Sequence, residues 1–153
     1  MARVFFLAAN LCFSLAFDAA EPVLHSFERL TLSTEYFCEG AGFGDVSNDG
    51  KPDIVAGPYW YAGPDFKARH EIYPPKAQDR NRYADNFFSF VYDFNGDGWG
   101  DVLRIGFPGT AALVFQNPKT PKGHWARYQV FDWVSNESPT LTNLVGDERP
   151  ELV

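Results

Sequence analysis

Nine residues in the middle of the chain combine oxygen-bearing side chains with the spacing a cation requires. They read Asp93-Phe94-Asn95-Gly96-Asp97-Gly98-Trp99-Gly100-Asp101. Acids or amides stand at positions one, three, five and nine, and a glycine at position six lets the backbone turn sharply. Hard cations such as calcium take roughly six to eight oxygen ligands at about 2.3–2.6 Å. Asp93, Asn95, Asp97 and Asp101 offer side-chain oxygens, and Trp99 at position seven offers its carbonyl. Without a cation, carboxylates crowded this closely repel one another.

The pattern recurs. Asp45, Ser47, Asp49 and Asp53 occupy positions one, three, five and nine of an upstream copy, with Lys51 contributing the position-seven carbonyl. A worn third copy retains Asn143, Asp147 and Glu151, a weaker candidate set. The first residues of the three loops lie 48 and then 50 positions apart. A fixed period of this size marks a repeat architecture. An EF-hand begins in the same way, but it needs a Glu at position twelve and an exiting helix. Position twelve here is Ala56 or Arg104, and the residues after the loops (Ile54-Val55, Val102-Leu103) are strand formers. The ninth acid therefore has to close the loop, and a strand has to leave it. The alternative is a polar turn that binds nothing.

A second constellation precedes each loop. Glu39 lies six residues before Asp45, and Glu137 six before Asn143. Asp85 and Asn86 occupy the corresponding place before Asp93, and Asn136 adjoins Glu137. If the strand between cluster and loop is the innermost of its sheet, these five residues gather at a channel mouth, where they would bind a ligand or cation. The alternative is that they cap turns and bond local backbone. There is no Gly-x-Ser-x-Gly elbow and no His-Glu-x-x-His pair. His25, His70 and His124 stand near arginine-bearing runs, about one per repeat, which favours a structural role.

The elements that hold these residues also repeat. Runs carrying Arg29, Arg69 and Arg127 precede the loops by 16, 24 and 16 residues. The longer interval places a polar surface insertion at 74–81. After each complete loop come a strand, a Gly/Pro-marked turn and an aromatic segment ending in proline (Pro64, Pro118). No helical periodicity is sustained. Each unit thus reads as four short strands with the acidic loop between the first and second. The expected fold is all-β, a β-propeller of four-stranded blades. About two blades plus flanking strands are present, an incomplete ring in which 27–32 is a leading outer strand. The missing blades would come from further downstream sequence or from self-association.

Phe43-Gly44, the two full Asp-x-[Asn/Ser]-x-Asp-Gly-x-x-Asp loops and Ala56-Gly57-Pro58 resemble FG-GAP or VCBS repeats over roughly residues 25–153. The resemblance implies a calcium-binding β-propeller of the kind found in integrin α-subunits and secreted bacterial proteins. The third loop departs from the pattern at Asn143, Val145 and Glu148.

Composition agrees. Aromatic residues make up 17% of the 153, alongside 13 Gly and 11 Pro, which suits short strands joined by tight turns. The net charge of −7 argues against nucleic acid as a partner. Three divalent ions would bring it to about −1, so much of the acidity fits a metal load. Residues 1–20 read as a secretory signal, with Arg3 ahead of an apolar run too short to span a bilayer. The alternative is a buried first strand. Removal of the signal takes Cys12 with it and leaves Cys38 alone. The expected protein is secreted, periplasmic or extracellular. It binds calcium and acts as a binding or adhesion module for a protein or carbohydrate ligand. The rival is the propeller portion of a secreted carbohydrate-active enzyme with its site at the channel mouth.

Overall fold

The computed structural model describes residues 25–135 and 137–153. The chain divides into two units, Met1–Leu30 and Thr31–Val153. All strands among the described residues lie in the second. Of the first unit, residues 25–30 are described; they are exposed and carry no regular structure. The signal segment expected over 1–20 lies outside the described residues.

The second unit is all-β. The first sheet contains β1 (Ala41–Gly44), β2 (Asp53–Ala56), β3 (Tyr59–Tyr61) and β4 (Arg69–Glu71). The second contains β5 (Phe88–Tyr92), β6 (Asp101–Ile105), β7 (Thr110–Gln116) and β8 (Ala126–Val134). In both, strands pair antiparallel in chain order, so each sheet is a meander. A two-stranded sheet follows, β9 (Leu141–Thr142) against β10 (Glu151–Leu152). No helix occurs among the described residues.

Alternation along the strands gives each sheet two faces. In the second sheet Val102, Leu113 and Phe115 point one way, into a core shared with Val46, Val55, Trp60, Ile72 and Trp125. Leu103, Ile105, Ala112 and Val114 point the other way, toward Leu152 of β10. The second sheet is therefore apolar on both faces and lies between the other two. The outer face of the first sheet carries Tyr59 and Tyr61, packed with Phe37.

A row of glycines sets how closely the first strands of the two large sheets approach. Gly40, Gly42 and Gly44 alternate along one face at β1. A Cβ on Gly42 would lie 2.2 Å from the carbonyl oxygen of Ser89, and one on Gly44 would lie 2.6 Å from Cβ of Val91. Hydrogen at these positions lets β1 lie against β5 nearly backbone to backbone.

Two of the three arginine-bearing runs form fourth strands. Arg69 on β4 pairs opposite Tyr61, and Arg127 on β8 opposite Phe115. The strand expected over 27–32 does not form. Alternation makes a strand only where an edge is available to pair with; this run has no ladder partner among the described residues, and Phe27 is 94% exposed. The insertion at 74–81 is the mostly exposed, strandless loop its composition predicts.

Candidate functional site

All three acidic loops fall between the first and second strand of their sheets, and the ninth residue opens the departing strand: Asp53 for β2, Asp101 for β6, Glu151 for β10. The ninth acid closes the loop through its own backbone. The amide of position two donates to that carboxylate in each copy, from Val46 at 2.9 Å, Phe94 at 3.2 Å and Leu144 at 2.7 Å. In the two complete sheets the other carboxylate oxygen reaches the end of the third strand. It accepts the amide of Gly63 at 2.8 Å in the first and of Asn117 at 2.8 Å in the second. Asp53 and Asp101 are each 1% exposed. Burial pushes the Asp101 carboxyl above the usual range, against the pull of the Asn117 and Phe94 amides and with added repulsion from Asp97 and Asp93.

The remaining loop positions repeat as well. Position seven donates its amide to the position-five carboxylate in all three loops: Lys51 to Asp49 (2.9 Å), Trp99 to Asp97 (3.0 Å) and Arg149 to Asp147 (2.8 Å). Position four has positive φ in each, at Asn48, Gly96 and Gly146. Position six separates the full loops from the worn one. Gly50 and Gly98, at φ 82° and 83°, donate amides to Asp45 and Asp93 at 2.8 and 2.7 Å. Glu148 replaces this glycine, and no comparable bond to Asn143 forms.

Which of these oxygens suit a cation is decided by what each already holds. Both oxygens of Asp53 and of Asp101 face backbone donors inside the protein, so these acids shape the loop; both oxygens of Asp45 and of Asp93 also accept backbone amides, in less buried positions. Ser47 at position three fits best, since its Oγ is buried with no hydrogen-bond partner, and an orphaned buried hydroxyl is costly unless something coordinates it. In the two full loops the position-five acid has a lysine nearby: Lys51 lies 3.9 Å from Asp49 and Lys119 lies 3.2 Å from Asp97. Burial raises the Asp97 carboxyl, but bonds from Lys119, Asn95 and the Trp99 amide outweigh it and hold the group below the usual range. Among the described residues no three His, Cys, Asp or Glu side chains converge as a metal-ready group. The candidate sets therefore rest on mixed oxygens: Asp45, Ser47, Asp49 and the Lys51 carbonyl in one loop, and Asp93, Asn95, Asp97 and the Trp99 carbonyl in the other.

The channel-mouth candidates separate. Glu39 and Asn86 are joined, with the Glu39 amide donating to the Asn86 carbonyl at 2.9 Å. The Glu39 carboxylate accepts the Ala84 amide at 3.0 Å and the Tyr36 hydroxyl. Asn86 is 1% exposed and bonds Tyr73 and Ser89. Both residues therefore do local structural work. Asp85 and Glu137 are exposed, and Asn136 lies outside the described residues. His70 stacks on Trp60 at 4.4 Å between centroids, and His124 lies 2.9 Å from Glu71. Both are packing or pairing roles.

Two participants were not singled out from sequence. Asn117 donates its side-chain amide to the Val46 carbonyl at 2.9 Å and to that of Gly100 at 3.0 Å, tying the first loop to the second. Lys119 follows two residues later. The only sequence signal for Asn117 is its place before Pro118, equivalent to Gly63 before Pro64.

The chain matches no known family, no curated protein and no solved structure in the comparisons made. No helix among the described residues is long and apolar enough to cross a membrane.

Proposed function

We propose that the chain is a segment of an FG-GAP or VCBS-type calcium-binding β-propeller. It is exported by its N-terminal signal and serves as a binding or adhesion module for a protein or carbohydrate ligand. The observation that carries this reading is one loop built three times, with the same clamp at position nine and the same turn at position four, always between first and second strands. Two four-stranded meanders whose first strands lie against each other also support blades arranged about a common axis. Calcium would be held by Asp45, Ser47, Asp49 and the Lys51 carbonyl, and by Asp93, Asn95, Asp97 and the Trp99 carbonyl. Its contribution is to neutralise carboxylates that otherwise repel. Asp53 and Asp101 fix the loops around it, and Lys51 and Lys119 swing aside. The third loop, with Asn143, Asp147 and Glu151, binds weakly.

Calorimetric titration of the folded protein with calcium tests this. Two ions are expected to bind clearly and a third weakly. Absence of binding heat from folded protein overturns the calcium reading. Ligand that binds only the folded state adds about 2.7 kcal/mol of stability at a hundredfold excess over Kd, so chelation lowers the melting temperature.

A further inference from the structure

A cleft of about 600 Å³ opens at the β6–β7 end of the second sheet, away from the acidic loops. Arg104, Arg127, Gln129, Thr110, Phe107 and Asp85 line it. Arg104 on β6, Leu113 on β7 and Gln129 on β8 form one cross-strand row, and Arg127 lies two residues from Gln129 on the same face. Two guanidinium groups thus share one face of the sheet in a chain whose net charge is −7. Among the described residues neither has a carboxylate within ion-pair distance. Arg104 is partly buried, with its guanidinium beside the rings of Tyr73 and Phe115 at 5.5 and 5.9 Å. A partly buried cation without an anionic partner is an unusual expense in a folded chain.

A separate feature adjoins it. Tyr83, Phe87 and Phe107 form a ring cluster with centroids 5.5 to 5.6 Å apart. Tyr83 is 69% exposed and Phe107 46%. Phe107 belongs to both cluster and cleft. Exposed aromatic rings beside convergent polar groups mark a ligand site. Rings offer flat faces to the C–H faces of sugars, guanidinium forks match carboxylates, and Gln129, Thr110 and Asp85 suit hydroxyls.

We propose that the Arg104–Arg127 cleft, with its Phe107 platform, binds a carboxylate-bearing saccharide of about disaccharide size. The inference rests on the binding-module reading and gives it a place and a ligand class. Arg127 and Arg104 hold the uronate carboxylate, Phe107 stacks on a sugar ring, and Asp85 accepts from hydroxyls.

The test is calorimetry on the calcium-saturated full chain. The probes are a glucuronate-containing disaccharide, the same disaccharide with its carboxylate reduced to an alcohol, and inorganic sulfate. The acidic sugar is expected to bind about tenfold or more tightly than either other probe, since a hydrogen bond to a charged group contributes about 1.5–3 kcal/mol. Arg127→Gln, at an exposed position, should lose most of that preference while melting like the parent. Phe107→Ala should weaken both sugars alike. Equal binding of the acidic and reduced sugars, sulfate binding as tightly as the sugar, or an unaltered Arg127→Gln each overturns the proposal. If calcium binds its two loops and no sugar binds, the cleft assignment fails alone. If calcium does not bind, the calcium reading fails independently.

Discussion

At the scale of single residues, the acids at positions nine and five sit in different surroundings. Asp101 holds two backbone amides inside the protein, whereas Asp97 holds Lys119 at the surface. Asp101→Asn keeps the shape but turns an NH2 group toward an amide that needs an acceptor. It is expected to destabilise by about 2 kcal/mol in urea unfolding, while Asp97→Asn without calcium should shift the midpoint little, since its lysine partner is solvent-screened. Equal midpoints for the two variants would contradict the clamp. With calcium the order changes: Asp97→Ala should lose the metal-dependent rise in melting temperature, and Asp147→Ala should retain most of it. Cys38 supplies a pH-dependent test. Burial pushes its thiol up to about 11, with the neighbouring Glu39 carboxylate adding to the effect. At pH 8 only about one thiol in a thousand is then ionised. Alkylation of the native protein should be slow and should accelerate about tenfold per pH unit up to pH 10. A plateau near pH 9 would show an ordinary thiol.

At the scale of elements, the glycine row on β1 separates crowding from conformational strain. Gly42→Ala drives a methyl group into the Ser89 carbonyl, and backbone cannot rotate away as a side chain can. The expected cost is about 3 kcal/mol. Gly96 has φ 76° and open space around its missing Cβ, so Gly96→Ala costs only about 1 kcal/mol. Comparable melting of the two variants would show that β1 and β5 are not in close contact. The loops and their departing strands were legible in sequence because a nine-residue pattern fixes both turn and strand start locally. The fourth strands at Arg69 and Arg127 were legible for the same reason of repetition. The run at 27–32 was misread because pairing depends on a distant edge that periodicity cannot reveal. The clamp formed by Asp53 and Asp101 was not legible, because position shows which residues are acidic and not which way they turn. The amides they meet, at Gly63 and Asn117, lie 10 and 16 residues away.

At the scale of the molecule, the second sheet is covered unevenly. Its face toward the first sheet is filled by a shared core except at the Arg104–Arg127 cleft. Among the described residues its other face meets β9 and β10, leaving a groove of about 510 Å³ lined by Leu103, Val114, Tyr128, Phe131 and Leu152 among others. Tyr128, Phe131 and Trp133 on β8 are all at least half exposed. An apolar surface of this kind should bind the dye ANS in the native state, and Phe131→Lys should reduce that fluorescence without lowering the melting temperature. Unchanged fluorescence would place the dye elsewhere. Asn117, finally, bonds the carbonyls of Val46 and Gly100 while its backbone meets Asp101. Hydrogen exchange makes its consequence visible. The amides of Val46, Gly63 and Asn117 should exchange as slowly as those of the strands, although they lie at loops and strand ends, because none can open without parting a clamp. In Asn117→Ala the two loops should exchange at independent rates, and calcium binding at one should cease to slow exchange at the other. An uncharged side chain with no ligand of its own thereby decides whether the loops respond separately or together.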